Sequence, residues 1–100
     1  MPPAPPALEP YRRTPEFDAS SIPKGLLRRH TTKAGVWARL HVLEGTLLFR
    51  WLEPSVREER LAAGTERLVE PEIPHEVEVC GPVRFYITFL RAKGGAPPSA

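Results

Sequence analysis

A chain of 100 residues with 41% hydrophobic content holds one domain with one core, and this composition excludes a chain disordered throughout. The net charge of +2, from 14 Lys and Arg against 12 Asp and Glu, is interleaved in sign and offers little to nucleic acid. No apolar run approaches the ~18 residues of a membrane span, and the single cysteine, Cys80, excludes an internal disulfide.

The opening Met1-Pro2-Pro3-Ala4-Pro5-Pro6 lacks the charged and apolar regions of a secretory signal, so a cytoplasmic location is expected. Asn and Gln are absent and Arg far outnumbers Lys. Loss of thermolabile amides is a thermophile tendency, although a GC-rich genome biases composition the same way. Prolines crowd both ends. Residues 1–10 therefore read as a proline-rich arm, 11–91 as the folded domain and 92–100 as a flexible tail.

Residues 11–17 and 26–30 are candidate leading strands. Residues 36–43 alternate cleanly, with Val36, Ala38, Leu40 and Val42 on one face and Trp37, Arg39, His41 and Leu43 on the other. Residues 46–52 form the next strand, and the intervening Glu44-Gly45 suits a two-residue hairpin. Residues 56–63, with Ser55 as a cap, are the helical candidate, although a hairpin loop fits them as well. Strands over 67–70, 75–79 and 83–90 follow, the last rich in β-branched and aromatic residues. Short strands punctuated by Gly25, Gly35, Gly45, Gly64 and Gly81 predict an all-β sandwich or barrel.

Strand parity separates the histidines. His75 shares a face with Val77 and Val79 and so points inward, whereas His41 shares the face of Trp37 and Arg39 and points outward. The parity of His30, at the end of Leu26-Leu27-Arg28-Arg29-His30, decides nothing alone. An interior imidazole needs a hydrogen-bond partner or a metal, because an unsatisfied buried polar group costs ~1–3 kcal/mol. A satisfied core histidine and a metal ligand both meet that need; a second histidine converging on the first favours the metal. Pro71-Glu72-Ile73-Pro74 is a stiff turn feeding into His75 or an ordinary strand connection. Arg28 and Lys33 could attract an anion to a pocket or sit in solvent as ordinary surface cations. Cys80 reads as a strand-end thiol, because no Cys/His arrangement surrounds it. Phosphate-binding glycine loops, paired zinc cysteines, nucleophile elbows and dinucleotide fingerprints are absent.

Several segments together resemble a known family. They are Arg13-Thr14-Pro15-Glu16-Phe17, His30-Thr31-Thr32-Lys33-Ala34-Gly35-Val36-Trp37, Val42-Leu43-Glu44-Gly45, Val69-Glu70-Pro71, Pro74-His75-Glu76-Val77-Glu78 and Arg84-Phe85-Tyr86. The chain is similar over about residues 11–91 to the TehB-like / YeaR-like, tellurite-resistance-related cupin family. The resemblance implies a small antiparallel cupin-like β-barrel of the double-stranded β-helix or jelly-roll type. Some relatives carry a fused methyltransferase, which this sequence lacks, so methyl transfer does not carry over. Cupins hold a metal with His-x-His and Glu from a first motif and His from a second. By that resemblance His30 and His75 match ligand positions, while Lys33 and Ala38 fall where a histidine and the glutamate are expected.

The resulting expectation is a barrel that binds a divalent metal (zinc, iron, nickel or manganese) or a small anion in an internal pocket, with a role in tellurite or oxyanion stress implied by resemblance alone. His30 and His75 are the proposed ligands or polar clamps. Arg28 and Lys33 are candidate anion partners, Glu70 is a candidate carboxylate, and Trp37, Phe85 and Phe89 are packing or pocket-wall groups. A metal-dependent oxygenase or isomerase is the enzymatic alternative, which fold alone cannot support. Nucleic-acid binding is the weakest reading, because Phe85 and Phe89 share the face of Val83 and Ile87 and so belong to the core. A homodimer through sheet edges or the N-terminal arm is the expected partner state, with Trp37, Arg39 and His41 available for contact.

Overall fold

The computed structural model describes residues 7–92. Residues 1–6 of the proline-rich arm and 93–100 of the tail lie outside the described residues. The fold is all-β, as the strand pattern predicts. Six strands, β1 (Leu8–Arg13), β2 (Phe17–Asp18), β3 (Trp37–Trp51), β4 (Arg57–Ala62), β5 (Glu66–Val69) and β6 (His75–Ala92), form one sheet. Pairing of β1 begins at Leu8, so the last residues assigned to the arm already belong to the sheet.

Two long strands organise everything else. β3 and β6 pair antiparallel from Trp37 opposite Leu90 to Trp51 opposite His75. The first part of β3 takes β5 on its other edge, and the last part takes β4. β6 is flanked by β1 and β2 along its second half, while its first residue, His75, is bridged by His30. The sheet therefore has two halves that share the same pair of central strands and enclose a common core.

This arrangement corrects the expected hairpin at Glu44-Gly45. The chain does not reverse there but continues along the same strand, with register shifts between Val42 and Glu44 and between Gly45 and Leu47. The shifts move the inward side of β3 from Ala38, Leu40 and Val42 to Leu47 and Phe49, so one strand serves both halves. Gly45 adopts φ +74°, and a Cβ there would lie 1.9 Å from the Pro82 carbonyl oxygen. Only glycine fits where β3 and β6 approach so closely. Residues 75–79 and 83–90, read as two strands, are likewise one continuous β6.

Two further expectations change. Residues 24–27 form a short 3-10 helix where the sequence predicts a strand over 26–30, and His30 joins the sheet only through its bridge to His75. The helical candidate at 56–63 is strand β4. Its Arg-Glu-Glu-Arg run has good helix formers, but pairing with β3 from Thr46 opposite Ala62 to Trp51 opposite Arg57 overrides local preference. Arg50 on β3 fastens this pairing, donating from Nε to Glu58 at 2.7 Å and from Nη1 to Glu76 on β6 at 2.5 Å.

The core is apolar and drawn from inward positions of β3, β4, β5 and β6. Leu47, Phe49, Leu61, Leu90, Val42 and Phe85 are fully enclosed, and each such side chain contributes roughly 1.5–3 kcal/mol by leaving water. Phe85 is buried and Phe89 packs on the same cluster, which leaves neither available to stack on a base. No helix among the described residues is long and apolar enough to cross a membrane.

Candidate functional site

His75 opens β6 and faces the interior, as its parity predicts; it is 6% exposed. Its entry is set by the turn Pro71-Glu72-Ile73-Pro74. Glu72 takes φ +63°, a left-handed conformation that costs a non-glycine residue about 1–2 kcal/mol. The Glu72 N–H is tied to the Thr32 carbonyl at 3.1 Å, Pro74 is buried, and the Leu52 N–H donates to the Pro74 carbonyl at 2.9 Å. The held turn places the Ile73 carbonyl 2.8 Å from His75 Nδ1. A carbonyl oxygen only accepts, so Nδ1 carries the proton. Burial pushes His75 below its ordinary pKa and outweighs the opposing pull of the Ile73 carbonyl, with His30 adding to the depression. The ring is therefore neutral near pH 7, and Nε2 keeps its lone pair.

His30 meets it across an antiparallel bridge. The His30 N–H donates to the His75 carbonyl at 2.8 Å, and the His75 N–H donates back to the His30 carbonyl at 2.9 Å. This backbone clasp brings the rings edge to face with centroids 5.3 Å apart. His30 is half-buried, and desolvation holds its pKa below the usual histidine range. Phe49 stacks on the other side of His75 at 5.3 Å.

Both imidazoles line a narrow cavity of about 40 Å³ between the two halves of the sheet. Its other walls are Leu26 from the 3-10 helix, Thr32, and apolar side chains of β3, β5 and β6, Phe89 among them. That volume admits a few water-sized atoms. Thr32 is a cavity residue that the sequence pattern does not single out. It is buried, and its Oγ1 is enclosed without a hydrogen-bond partner. One sequence signal pointed to it: in extended backbone, residues two apart share a side, and Thr32 stands two after His30.

The remaining candidates lie elsewhere. Arg28 and Lys33 are exposed and do not line the cavity. Trp37 is half-buried at the start of β3, out of step with the inward Ala38 and Leu40. Glu70 is exposed and borders a separate surface cleft of about 540 Å³ with Trp51, Arg57, Glu59 and Arg67. That cleft is larger and most of its charges are paired, although Arg67 Nε has no hydrogen-bond partner among the described residues. Arg67 donates to Glu59 at 2.5 Å, and the Arg57 guanidinium lies 4.3 Å above the Trp51 ring. The small cavity is the better site because it brings both imidazoles together between apolar walls. Ala38, where the resemblance places a glutamate, is a cavity wall with no carboxylate to offer. Among the described residues no cluster of three or more His, Cys, Asp or Glu could hold a metal.

His41 lies on the outer face. Its Nδ1 is 3.0 Å from Glu66 Oε1, its Nε2 is 3.2 Å from Thr88 Oγ1, and its ring stacks on Tyr86 at 4.4 Å. A hydroxyl, an imidazole and a carboxylate in series resemble a hydrolase triad. None of the three lines either cavity described above, and together they cross-link β3, β5 and β6. Cys80 is an exposed free thiol.

Comparison with known proteins agrees with this architecture. No curated protein matches the chain. The fold is similar to that of an Escherichia coli (strain K12) protein at 26% identity and TM-score 0.80, over 92% of this chain and 98% of that one. TehB from Haemophilus influenzae matches at 27% identity and TM-score 0.80 over 86% of this chain, which spans only 32% of the TehB chain. Hydroxypropylphosphonic acid epoxidase from S. wedmorenis shares the fold at 22% identity and TM-score 0.56, over 73% of this chain and 40% of its own. The family model for the TehB-like domain covers residues 12–87 and takes in both histidines of the cavity together with Thr32, so the chain belongs to the TehB-like domain family.

Proposed function

We propose that this TehB-like cupin domain binds a divalent transition-metal ion in its internal cavity through His30 and His75. The observation that carries the reading is the Ile73 carbonyl on His75 Nδ1 at 2.8 Å. Histidines that ligate metals donate their other ring N–H to a carboxylate, carbonyl or water, which fixes the tautomer and aims the lone pair. Depression of both imidazole pKa values by burial keeps them in the neutral, ligating form.

The four-ligand cupin set does not fit this chain, because Ala38 brings no carboxylate to the cavity and Lys33 lies outside its lining. In this reading the protein supplies two imidazole nitrogens, and water or a small ligand fills the remaining positions. Nitrogen ligation favours zinc, nickel or iron over the harder manganese. Once bound, such a metal would supply Lewis acidity. The chain's own part is to present two neutral imidazoles in a cavity walled by apolar side chains that restrict water.

The anion alternative is weaker, because the cations invoked for it, Arg28 and Lys33, are outside the cavity lining. An oxyanion, tellurite included, would have to be held by imidazole and hydroxyl groups or by the metal itself. Metal content of the untagged protein tests the reading. One metal per chain, lost in both His30→Ala and His75→Ala, is expected. Absence of metal after reconstitution with zinc, iron, nickel and manganese in turn would overturn it.

A further inference from the structure

We infer that the cleft between β4 and β5 is a second ligand site, which takes the ammonium or guanidinium group of a small organic cation on the face of Trp51. The inference draws on neither the histidine cavity nor a metal.

The first observation is a break in strand patterning. Residues directly opposite each other in a sheet share a face. On β4, Leu61, Glu59 and Arg57 lie opposite Leu47, Phe49 and Trp51, and so share the inward side of β3. On β5, Val69 and Arg67 lie opposite the inward Ala38 and Leu40. Leu61 and Val69 are buried in the core, but the neighbouring inward positions on both strands are charged. Sequences break their alternation in this way at functional sites. Arg57, Glu59, Arg67 and Trp51 all line the cleft, whose volume of about 540 Å³ falls within the roughly 300–1,000 Å³ of small-molecule sites. The Arg67 to Glu59 pair at 2.5 Å ties the two edge strands together there.

The second observation is the setting of Trp51. Phe49 packs edge to face against its ring at 4.6 Å, which holds the indole in place. The Arg57 guanidinium lies over the ring at 4.3 Å, so the indole is already placed to receive a cation. Arg57 is exposed and pairs with no carboxylate among the described residues, so a competing cation can displace it.

Charge is the third. The lining holds four carboxylates against two guanidiniums, which favours a cation over an anion. Glu53, Glu58 and Glu59 are each held by an arginine, namely Arg29, Arg50 and Arg67. Glu70 is exposed and has no such partner among the described residues, which leaves its carboxylate for the ligand. Leu68 and Ile73 supply apolar surface for the ligand's alkyl part.

The test titrates choline into the isotope-labelled full-length protein and reads the indole N–H signals of Trp37 and Trp51, assigned with Trp51→Phe. Choline is expected to shift the Trp51 signal saturably and to leave that of Trp37, at the other end of β3, in place. The dimethylbutanol in which carbon replaces the choline nitrogen is expected to move neither. Arg57→Ala frees the ring face and is expected to tighten choline binding about threefold, whereas Glu70→Gln weakens it about threefold. Both residues are exposed, so both variants keep the fold. No choline shift at Trp51 in wild type or in Arg57→Ala would overturn the inference. An equal response to the uncharged isostere would overturn it too, by making the cleft merely apolar. Weaker binding in Arg57→Ala would do the same, by making the guanidinium part of the site rather than its occupant. None of these outcomes bears on the histidine cavity.

Discussion

His75 and His41 sit on the two strands that run side by side through the whole fold, but they face opposite sides of the sheet. His75 is packed between Phe49 and His30, with a backbone carbonyl on Nδ1. His41 is saturated: Glu66 on one nitrogen, Thr88 on the other, Tyr86 against its face. The inner imidazole has one nitrogen free and little water around it, whereas the outer one has both nitrogens engaged at a wetter surface. Chemical availability here follows from partner count, and the more exposed histidine is the less available.

The largest difference should appear in stability. His75→Ala removes a buried ring, opens space beside Phe49 and strands the Ile73 carbonyl, and is expected to cost about 3 kcal/mol in urea unfolding. His41→Ala removes two hydrogen bonds and a stack from a side chain 14% exposed, and is expected to cost about 1 kcal/mol. Equal costs would erase the distinction between the two faces.

Acid separates the two regions next. In the metal-free protein His30 and His75 titrate below the ordinary value of 6.5, so on acidification the unfolded chain takes up protons that the folded chain resists. Stability from this source is complete above that value and falls as pH drops below it, by at most about 1.4 kcal/mol per pH unit for each group and less for the half-exposed His30. Thermal melts between about pH 7 and pH 5 should show this slope in wild type and His41→Ala. They should show it weakened in His75→Ala. A wild-type profile flat across that window would mean the inner rings are better hydrated than their burial implies.

Salt gives the smallest effect. Glu66 is more than half exposed, so Glu66→Gln is expected to cost under about 1 kcal/mol, with the loss shrinking as salt is added at a pH low enough to protonate His41. The cost of His75→Ala should not respond to salt.

Much of the inner region could be anticipated from residues close in sequence. The alternation His75, Val77, Val79 against Glu76 and Glu78 placed His75 inside, because a strand's period of two is a local property. The same logic placed His41 outside with Arg39. The family resemblance carried His30, which parity could not. Thr32 was within reach of the same rule, two residues from His30, but the stretch around it has no apolar alternation to signal burial. Arg28, Lys33 and Glu70 are candidates on charge alone, and charge says nothing about which way a loop residue faces.

By itself the sequence determined the fold class, the strand-rich segments and the inward face of most of them, since these depend on the spacing of apolar, β-branched and glycine residues along a few turns of chain. Tertiary structure alone decided that Glu44-Gly45 continues a strand, because the Pro82 carbonyl that excludes any side chain at Gly45 comes from far along the chain. It also made 57–62 a strand, through pairing with β3. Above all it brought His30 against His75, a backbone bridge spanning 45 positions that closes a loop. Such contacts depend on the entropy and packing of the whole chain, and no local pattern encodes them.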